Sequence, residues 1–254
     1  MKTVAIIQAR MGSTRLPGKV MLPLGEHKVI DWVHERVRKA KLVDEVVIAM
    51  PCNDLNTSLN AHCKAHFYIT SYGSESDVLE RYYHCAKARN ADYIVRITAD
   101  CPLIDWETID ALIMRLWLQP VVLDMKYMTQ EAEFITCHYA SNCHMKRRNM
   151  PRGLDCEAFT MKMLAMTHVM ATHQYEREHV TPAMSQKKGA IFQEFTPKDY
   201  SHLRWTLDEQ ADYDMLCELV KHGDWDTPWI EFAKVCDEHP EIPKINAHVK
   251  QKEA

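Results

Sequence analysis

Val4-Ala5-Ile6-Ile7-Gln8-Ala9-Arg10-Met11-Gly12-Ser13-Thr14-Arg15-Leu16-Pro17-Gly18-Lys19 lies near the start of the chain. The apolar run Val4 to Ile7, bounded by turn residues, predicts a buried strand. The loop behind it carries what a polyphosphate needs. Gly12 and Gly18 permit close backbone approach, Ser13 and Thr14 offer hydroxyl donors, and Arg10, Arg15 and Lys19 add positive charge. A basic surface turn would have the same composition, but three cations within ten residues at a strand end favour phosphate. The loop is neither a Walker A sequence nor a dinucleotide fingerprint, because both glycine patterns are absent.

Composition bounds the rest. The chain has 254 residues, 46% hydrophobic and 26% charged, enough for one large α/β domain with a sizeable core. A net charge of −4 argues against a nucleic-acid partner, so the N-terminal cations form a focused site. No stretch approaches the roughly 18 apolar residues of a membrane span, so no membrane role is expected. Nine cysteines, an odd number without a framework spacing, fit free thiols in a reducing cytoplasm.

Working outward, Lys28 to Ala40 has a helical period, with Arg36, Arg38, Lys39 and Lys41 read as its solvated face. Glu45 to Met50 is a strand, and Asn53 or Asp54 caps a helix reaching about His66. A short strand, Phe67 to Thr70, follows. Ser74 and Asp77 fit a capping box ahead of the stripe Val78, Leu79, Tyr82 and Ala86. Asp92 to Thr98 is a strong strand and Trp106 to Leu118 a helix. This alternation predicts a mainly parallel sheet with helices on both faces.

Ligands of such sheets gather at strand carboxyl ends, where Asp100 follows Thr98. A carboxylate there suits Mg²⁺, although a turn residue before Pro102 would also be Asp. Val121 to Leu123 and Phe134 to Ala140 are candidate strands. Cys137-His138 and Cys143-His144 match no common zinc spacing. Lys146, Arg147, Arg148 and Arg152 make a basic loop, either exposed or facing an anion. Gly153 to Phe159 reads as a turn entering a strand with Asp155 and Glu157 on one face, and Met161 to Ala171 as a helix. Leu203 to Asp208 reads as a closing strand before a helix through Leu219, where Asp208 either caps the helix or binds metal. Trp229 to Val235 reads as a covering helix.

The stretch Ile7 to Met21 closely resembles the opening motif of the cytidylyltransferases that activate acidic sugars. Within them it resembles the spore coat polysaccharide biosynthesis protein F type, related to the CMP-Kdo and CMP-sialic acid synthetases. A second specific match covers Arg96 to Asp105, and weaker ones continue through Gly73 to Tyr83, Tyr139 to Asn142, Gly153 to Glu157, Glu176 to Pro182 and Asp208 to Asp212. Two departures are small: Ala99 replaces the family's usual glycine, and the proline after the lead aspartate, Asp208, is lost.

The resemblance implies an α/β, mainly parallel, Rossmann-like three-layer sandwich of the nucleotide-diphospho-sugar transferase (GT-A-like) kind. It implies one domain over 1–254: a nucleotide-binding half to about 118, an acceptor and dimerisation region over about 119–200, and closing elements over about 201–254. CTP would lie against Ala9, Arg10, Gly12, Ser13, Thr14, Arg15, Lys19, Ser74 and Thr98, with Arg15, Lys19 and Asp100 catalytic. Asp100 and Asp208 would bind Mg²⁺. A small acidic acceptor would meet Asn142, Asp155, Glu157, Glu178 and His179. The expected activity is transfer of CMP to a sugar acid, with release of pyrophosphate, by a homodimer. Three alternatives stay open: a phosphorylated acceptor, a nucleotide-sugar-dependent glycosyltransferase, or a non-catalytic nucleotide-binding module. Asp100-Cys101-Pro102 in place of Asp-x-Asp counts against the glycosyltransferase.

Overall fold

β1 (Thr3–Gln8) lies inside the sheet, and its sequence explains why. Val4, Ala5, Ile6 and Ile7 are all fully buried. Ala5 and Ile7 belong to the core on one face, Val4 and Ile6 to the core on the other. Each buried Val or Ile contributes about 1.5–3 kcal/mol, so a strand apolar on both sides is stable only when covered on both. The computed structural model describes residues 1–118, 137–143, 148–187 and 189–251.

A short hairpin, β2 (Pro23–Leu24) and β3 (His27–Lys28), follows the loop. Then come α1 (Val29–Arg38), β4 (Glu45–Pro51), α2 (Thr57–Ala65), β5 (Ile69–Gly73), α3 (Val78–Ala88), β6 (Tyr93–Thr98) and α4 (Trp106–Trp117). The second half adds β7 (Tyr139–Ser141), β8 (Glu157–Thr160), α5 (Met161–Met170), α6 (Gln174–His179), α7 (Pro182–Ser185) and β9 (Ile191–Phe192). It ends with α8 (Gln210–Leu219), α9 (Trp229–Glu238) and α10 (Glu241–Lys244).

Among the described residues the main sheet has the order β5-β4-β1-β6-β8-β7-β9. The first four strands are parallel, with Ile7 registered against Ile48 and Ile97. β8 runs antiparallel to both β6 and β7. Helices α1, α2 and α4 cover one face through Val33, Val37, Leu59 and Leu112. α3 and α5 cover the other through Leu79, Tyr82 and Leu164. The fold is therefore a mainly parallel three-layer α/β sandwich. A further cluster packs α8 and α9 against Leu24 and Trp32, around fully buried Trp205 and Phe232. The sheet grows one way from β1 through β4 and β5, then the other way through β6. The carboxyl ends of β1 and β6 therefore lie side by side, and the loops after them line a crevice there.

Four local expectations change. Strand pairing expected from Phe67 begins at Ile69 instead, because Phe67, with φ 57°, is the exposed left-handed residue that turns the chain out of α2. The cap of α2 is Asn56, preceded by a 3₁₀ turn over Asp54–Asn56. Arg36 is not on a solvated face. It is fully buried, donates to the carbonyls of Ile104, Trp225 and Thr227, and lies 4.8 Å from the Trp106 ring. Leu203 to Asp208 joins no sheet. Its backbone bonds go to loops, Arg152 N to Leu203 O (3.0 Å) and Leu207 N to Asp100 O (2.8 Å), leaving one bridge between Arg152 and Arg204. This tight crossing explains Gly153, whose φ is 102°. A Cβ there would sit 2.5 Å from the backbone of Trp205 and Thr206. The candidate strand Val121 to Leu123, residues 134–136, and Lys146 and Arg147 lie outside the described residues.

Candidate active site

The crevice is a cavity of about 310 Å³. The loop after β1 brings Ala9, Arg10, Ser13, Thr14 and Arg15 to it; the end of β6 brings Arg96, Thr98, Ala99 and Asp100. Lys19 starts a 3₁₀ turn whose preceding residue, Gly18, takes φ 71°, and Gly18 N donates to Met11 O to close the loop. The turn aims Lys19 inward. Its Nζ donates to Asp100 Oδ2 (2.7 Å), Asp208 Oδ1 (3.0 Å) and the Leu207 carbonyl (2.7 Å).

This ammonium joins the two aspartates on which the metal reading depends. Burial alone would lower the pKa of Lys19, but Asp100 and Asp208 outweigh it, so the pKa lies above the ordinary lysine value. Burial would raise Asp100, and Lys19 together with the Thr98 hydroxyl overcomes it, holding the carboxyl below its usual range. Asp208 Oδ1 also meets Arg15 Nη2 at 3.0 Å, while Oδ2 accepts from Arg204 Nη2 at 3.0 Å. Arg204 is fixed in turn by fully buried Asp212, at 2.8 Å. Asp208 therefore does not cap α8. That helix starts behind Glu209, in a capping box with Asp212, and Asp208 is left for the cavity.

The far wall comes from α6, which supplies Glu178 and His179. The helix stops abruptly in a γ-turn: Thr181 N donates to His179 O at 2.8 Å around Val180, with φ 69° and ψ −53°. A buried β-branched residue in that conformation costs about 1–3 kcal/mol, and such strain gathers at sites that need a fixed geometry. Burial, helped by Arg96 and opposed by Glu178, holds His179 below the ordinary imidazole pKa.

Beside this cavity lies a second one of about 570 Å³, which shares Arg96 and His179 with it. Glu157, Tyr139, Tyr175, Ser185 and Gln186 line it. Glu157 is bound by Arg96 and by the Tyr139 hydroxyl, which joins the floors of the two cavities.

Of the residues singled out from sequence, Ala9, Arg10, Ser13, Thr14, Arg15, Lys19, Thr98, Asp100, Glu178, His179 and Asp208 line the first cavity, and Glu157 the second. Gly12 does not; a Cβ on it would touch Glu75 instead. Ser74 also lies outside both. Its hydroxyl accepts from Asp77 N, and Asp77, not Ser74, caps α3 by accepting from Glu80 N. Asp77 is further tied to Arg177 on α6. Asn142 is buried with its amide used in the scaffold, donating to Leu154 O (2.7 Å) and accepting from Cys156 N (2.8 Å). Asp155 is paired with Arg148.

Three polar lining residues carried no such expectation: Gln8, Arg81 and Arg96. Arg81 lies on α3 at the period of a helix face, and Arg96 inside a strand, so only the assembled fold brings them to this cavity.

The likeness to known proteins agrees with this geometry. Residues 4–242 match the family model described as cytidylyltransferase. An uncharacterized protein of Methanocaldococcus jannaschii is 32% identical, over 99% of this chain and 97% of its own. The spore coat polysaccharide biosynthesis protein SpsF of Bacillus subtilis is 30% identical over 85% of both chains. The solved structure of a cytidylyltransferase from Leptospira borgpetersenii superposes with a TM-score of 0.83, at 29% identity, over 100% of this chain and 99% of that one. A match running through the loop after β1, both aspartates and most of the fold has one consequence: this chain belongs to the cytidylyltransferase family.

Proposed function

We propose that this protein is a Mg²⁺-dependent cytidylyltransferase that moves CMP from CTP to a small acidic acceptor of the sugar-acid type, releasing pyrophosphate, in glycan biosynthesis. The observation that carries it is the Lys19 ammonium held between Asp100 and Asp208 beneath the arginines of the first loop. Cations above and carboxylates below suit a polyphosphate with its counter-ion.

The donor set fits magnesium. Two carboxylates, hard oxygen ligands, converge on a point where a positive group already sits favourably. Asp100 and Asp208 would hold the ion, which when bound supplies charge neutralisation and a lowered pKa for a coordinated hydroxyl. Arg10, Arg15 and Lys19 hold the phosphates in line and offset the charge growing on the leaving pyrophosphate. The acceptor occupies the second cavity, with its hydroxyl toward the first. That oxygen bonds to the α-phosphorus as the bond from α-phosphorus to the bridging oxygen breaks, and pyrophosphate leaves with the electron pair. His179, neutral at pH 7, takes the hydroxyl proton.

The same reading includes one domain over 1–254, supported by one continuous main sheet. It also includes a homodimer, supported by the exposed apolar side chains Met166, Val169 and Met170 on α5. Among the described residues no helix is long and apolar enough to cross a membrane. Titration calorimetry with Mg²⁺ and each of the four nucleoside triphosphates tests the nucleotide half of the proposal. CTP should bind at least about tenfold more tightly than the others, a difference of about 1.4 kcal/mol. Equal affinity for all four, or none for CTP, would overturn the base assignment.

A further inference from the structure

Away from the cavity, α1 and the end of α2 bring a carboxylate and two imidazoles together. His62 and His66 lie one turn apart, with ring centroids 4.0 Å from each other. Asp31, in the first turn of α1, places Oδ1 2.7 Å from His62 Nε2. One ligand atom from each of the three residues lies within 4.8 Å of the other two; among the described residues no other such grouping of three occurs.

We propose that Asp31, His62 and His66 form a binding site for a divalent transition-metal ion of the zinc class. Two imidazoles and a carboxylate with one position left to water is a common donor set for such an ion. Bond lengths near 2.0–2.1 Å put tetrahedral ligand atoms about 3.3 Å apart, so His66 must move in while Asp31 Oδ1 and His62 Nε2, 2.7 Å apart, part slightly. His66 is exposed at the helix end, which leaves its ring room to shift toward the pair, whereas Asp31 and His62 are already in contact.

The surrounding bonds favour ligation over a plain ion pair. His66 Nδ1 lies 2.9 Å from the His62 carbonyl. A carbonyl can only accept, so Nδ1 carries the proton and Nε2 keeps its lone pair. That is the outer bond a metal-binding histidine usually makes. Asp31 is oriented in the same way, by Tyr68 Oη on Oδ1 (3.1 Å) and Lys28 N on Oδ2 (3.0 Å). The left-handed turn at Phe67 brings Tyr68 back under the carboxylate. An Asp31–His62 pair alone would need neither the fixed tautomer of His66 nor its place one turn along.

The consequence is structural. α1 begins at Val29, whose N–H donates to Leu22 O at the end of the turn that carries Lys19. A metal joining Asp31 to α2 would clamp the helix behind the phosphate loop. None of the three ligands lines the nucleotide cavity, so the site does not depend on the proposed transfer reaction.

The test uses the full chain, stripped with a chelator and held in excess Mg²⁺ to fill the oxygen-ligand site. Zn²⁺ is titrated by calorimetry and followed by melting temperature, and Co²⁺ by its visible absorption. With 14 histidines and nine cysteines, zinc binding by itself proves little, so the comparison with variants decides. Wild type should bind Zn²⁺ with a rise in melting temperature and a tetrahedral Co²⁺ spectrum. His66→Ala, an exposed change, should weaken binding at least about tenfold and lose the spectrum while keeping the metal-free melting point. Asp31→Asn should weaken it similarly. Unchanged zinc affinity in His66→Ala, or no binding by wild type at micromolar metal, would overturn the proposal.

Discussion

At the scale of single residues, the account rests on one ammonium and two carboxylates. Asp100→Asn keeps the shape and still accepts from Lys19, but removes a charge where metal and phosphate need it. Turnover should fall by about 10²–10³ with the unfolding midpoint in denaturant almost unchanged; near wild-type turnover would remove Asp100 from the mechanism. His179 sets a pH dependence whose sign follows from its lowered pKa. The neutral form is the competent base, so the acid limb of kcat/KM should be centred below the ordinary imidazole value, activity falling as pH drops through it. An acid limb centred at or above the ordinary imidazole value, or one unchanged in His179→Gln, would contradict its role. Lys19, Arg15 and Asp100 stood out in the sequence because cations and a carboxylate gather at strand ends, and the fold brings all three to one cavity. Arg81 and Arg96 did not, because a helix face and a strand explain them locally. Asn142 read as a ligand for the opposite reason: a polar residue near a motif looks functional until its amide is seen spanning Leu154 and Cys156.

At the scale of elements, the segment carrying Asp208 is the one most dependent on its neighbours. Periodicity read Leu203 to Asp208 as a strand, but the segment joins no sheet and keeps a single bridge at Arg204. What sequence could not show is that its partners are the loops at Arg152 and Asp100. Gly153 is the point at which that crossing is allowed. Gly153→Ala would add a Cβ 2.5 Å from two backbone atoms at φ 102°. The strain, about 1–3 kcal/mol, and a similar cost of overpacking should together destabilise by about 2–6 kcal/mol. Because the same crossing positions Asp208, turnover should fall in whatever protein remains folded. Denaturant unfolding and activity measured on one preparation check both; a change under about 0.5 kcal/mol would mean that the crossing is loose.

At the scale of the whole molecule, the alternation of apolar strands and amphipathic helices was enough to read a parallel sheet covered on both faces. Runs such as Val4 to Ile7 and Val46 to Met50 have no other stable home than a sheet interior. The meeting of distant parts was not readable in this way. Arg36 reads as surface until the C-terminal segment lays its carbonyls over it. Asp31 and His62 become neighbours only when α1 and α2 pack on one face. The two cavities, joined through Arg96 and His179, likewise exist only once β6, β8 and α6 are in place. This joined arrangement is the basis for a two-substrate transfer, and pyrophosphate release is its most direct readout. Purified protein with Mg²⁺ is given each nucleoside triphosphate together with a panel of sugar acids and sugar phosphates. The account predicts release with CTP that requires a sugar acid and is lost in Asp100→Asn. Release that favours another nucleotide, or none with any pair although CTP binds, would contradict it.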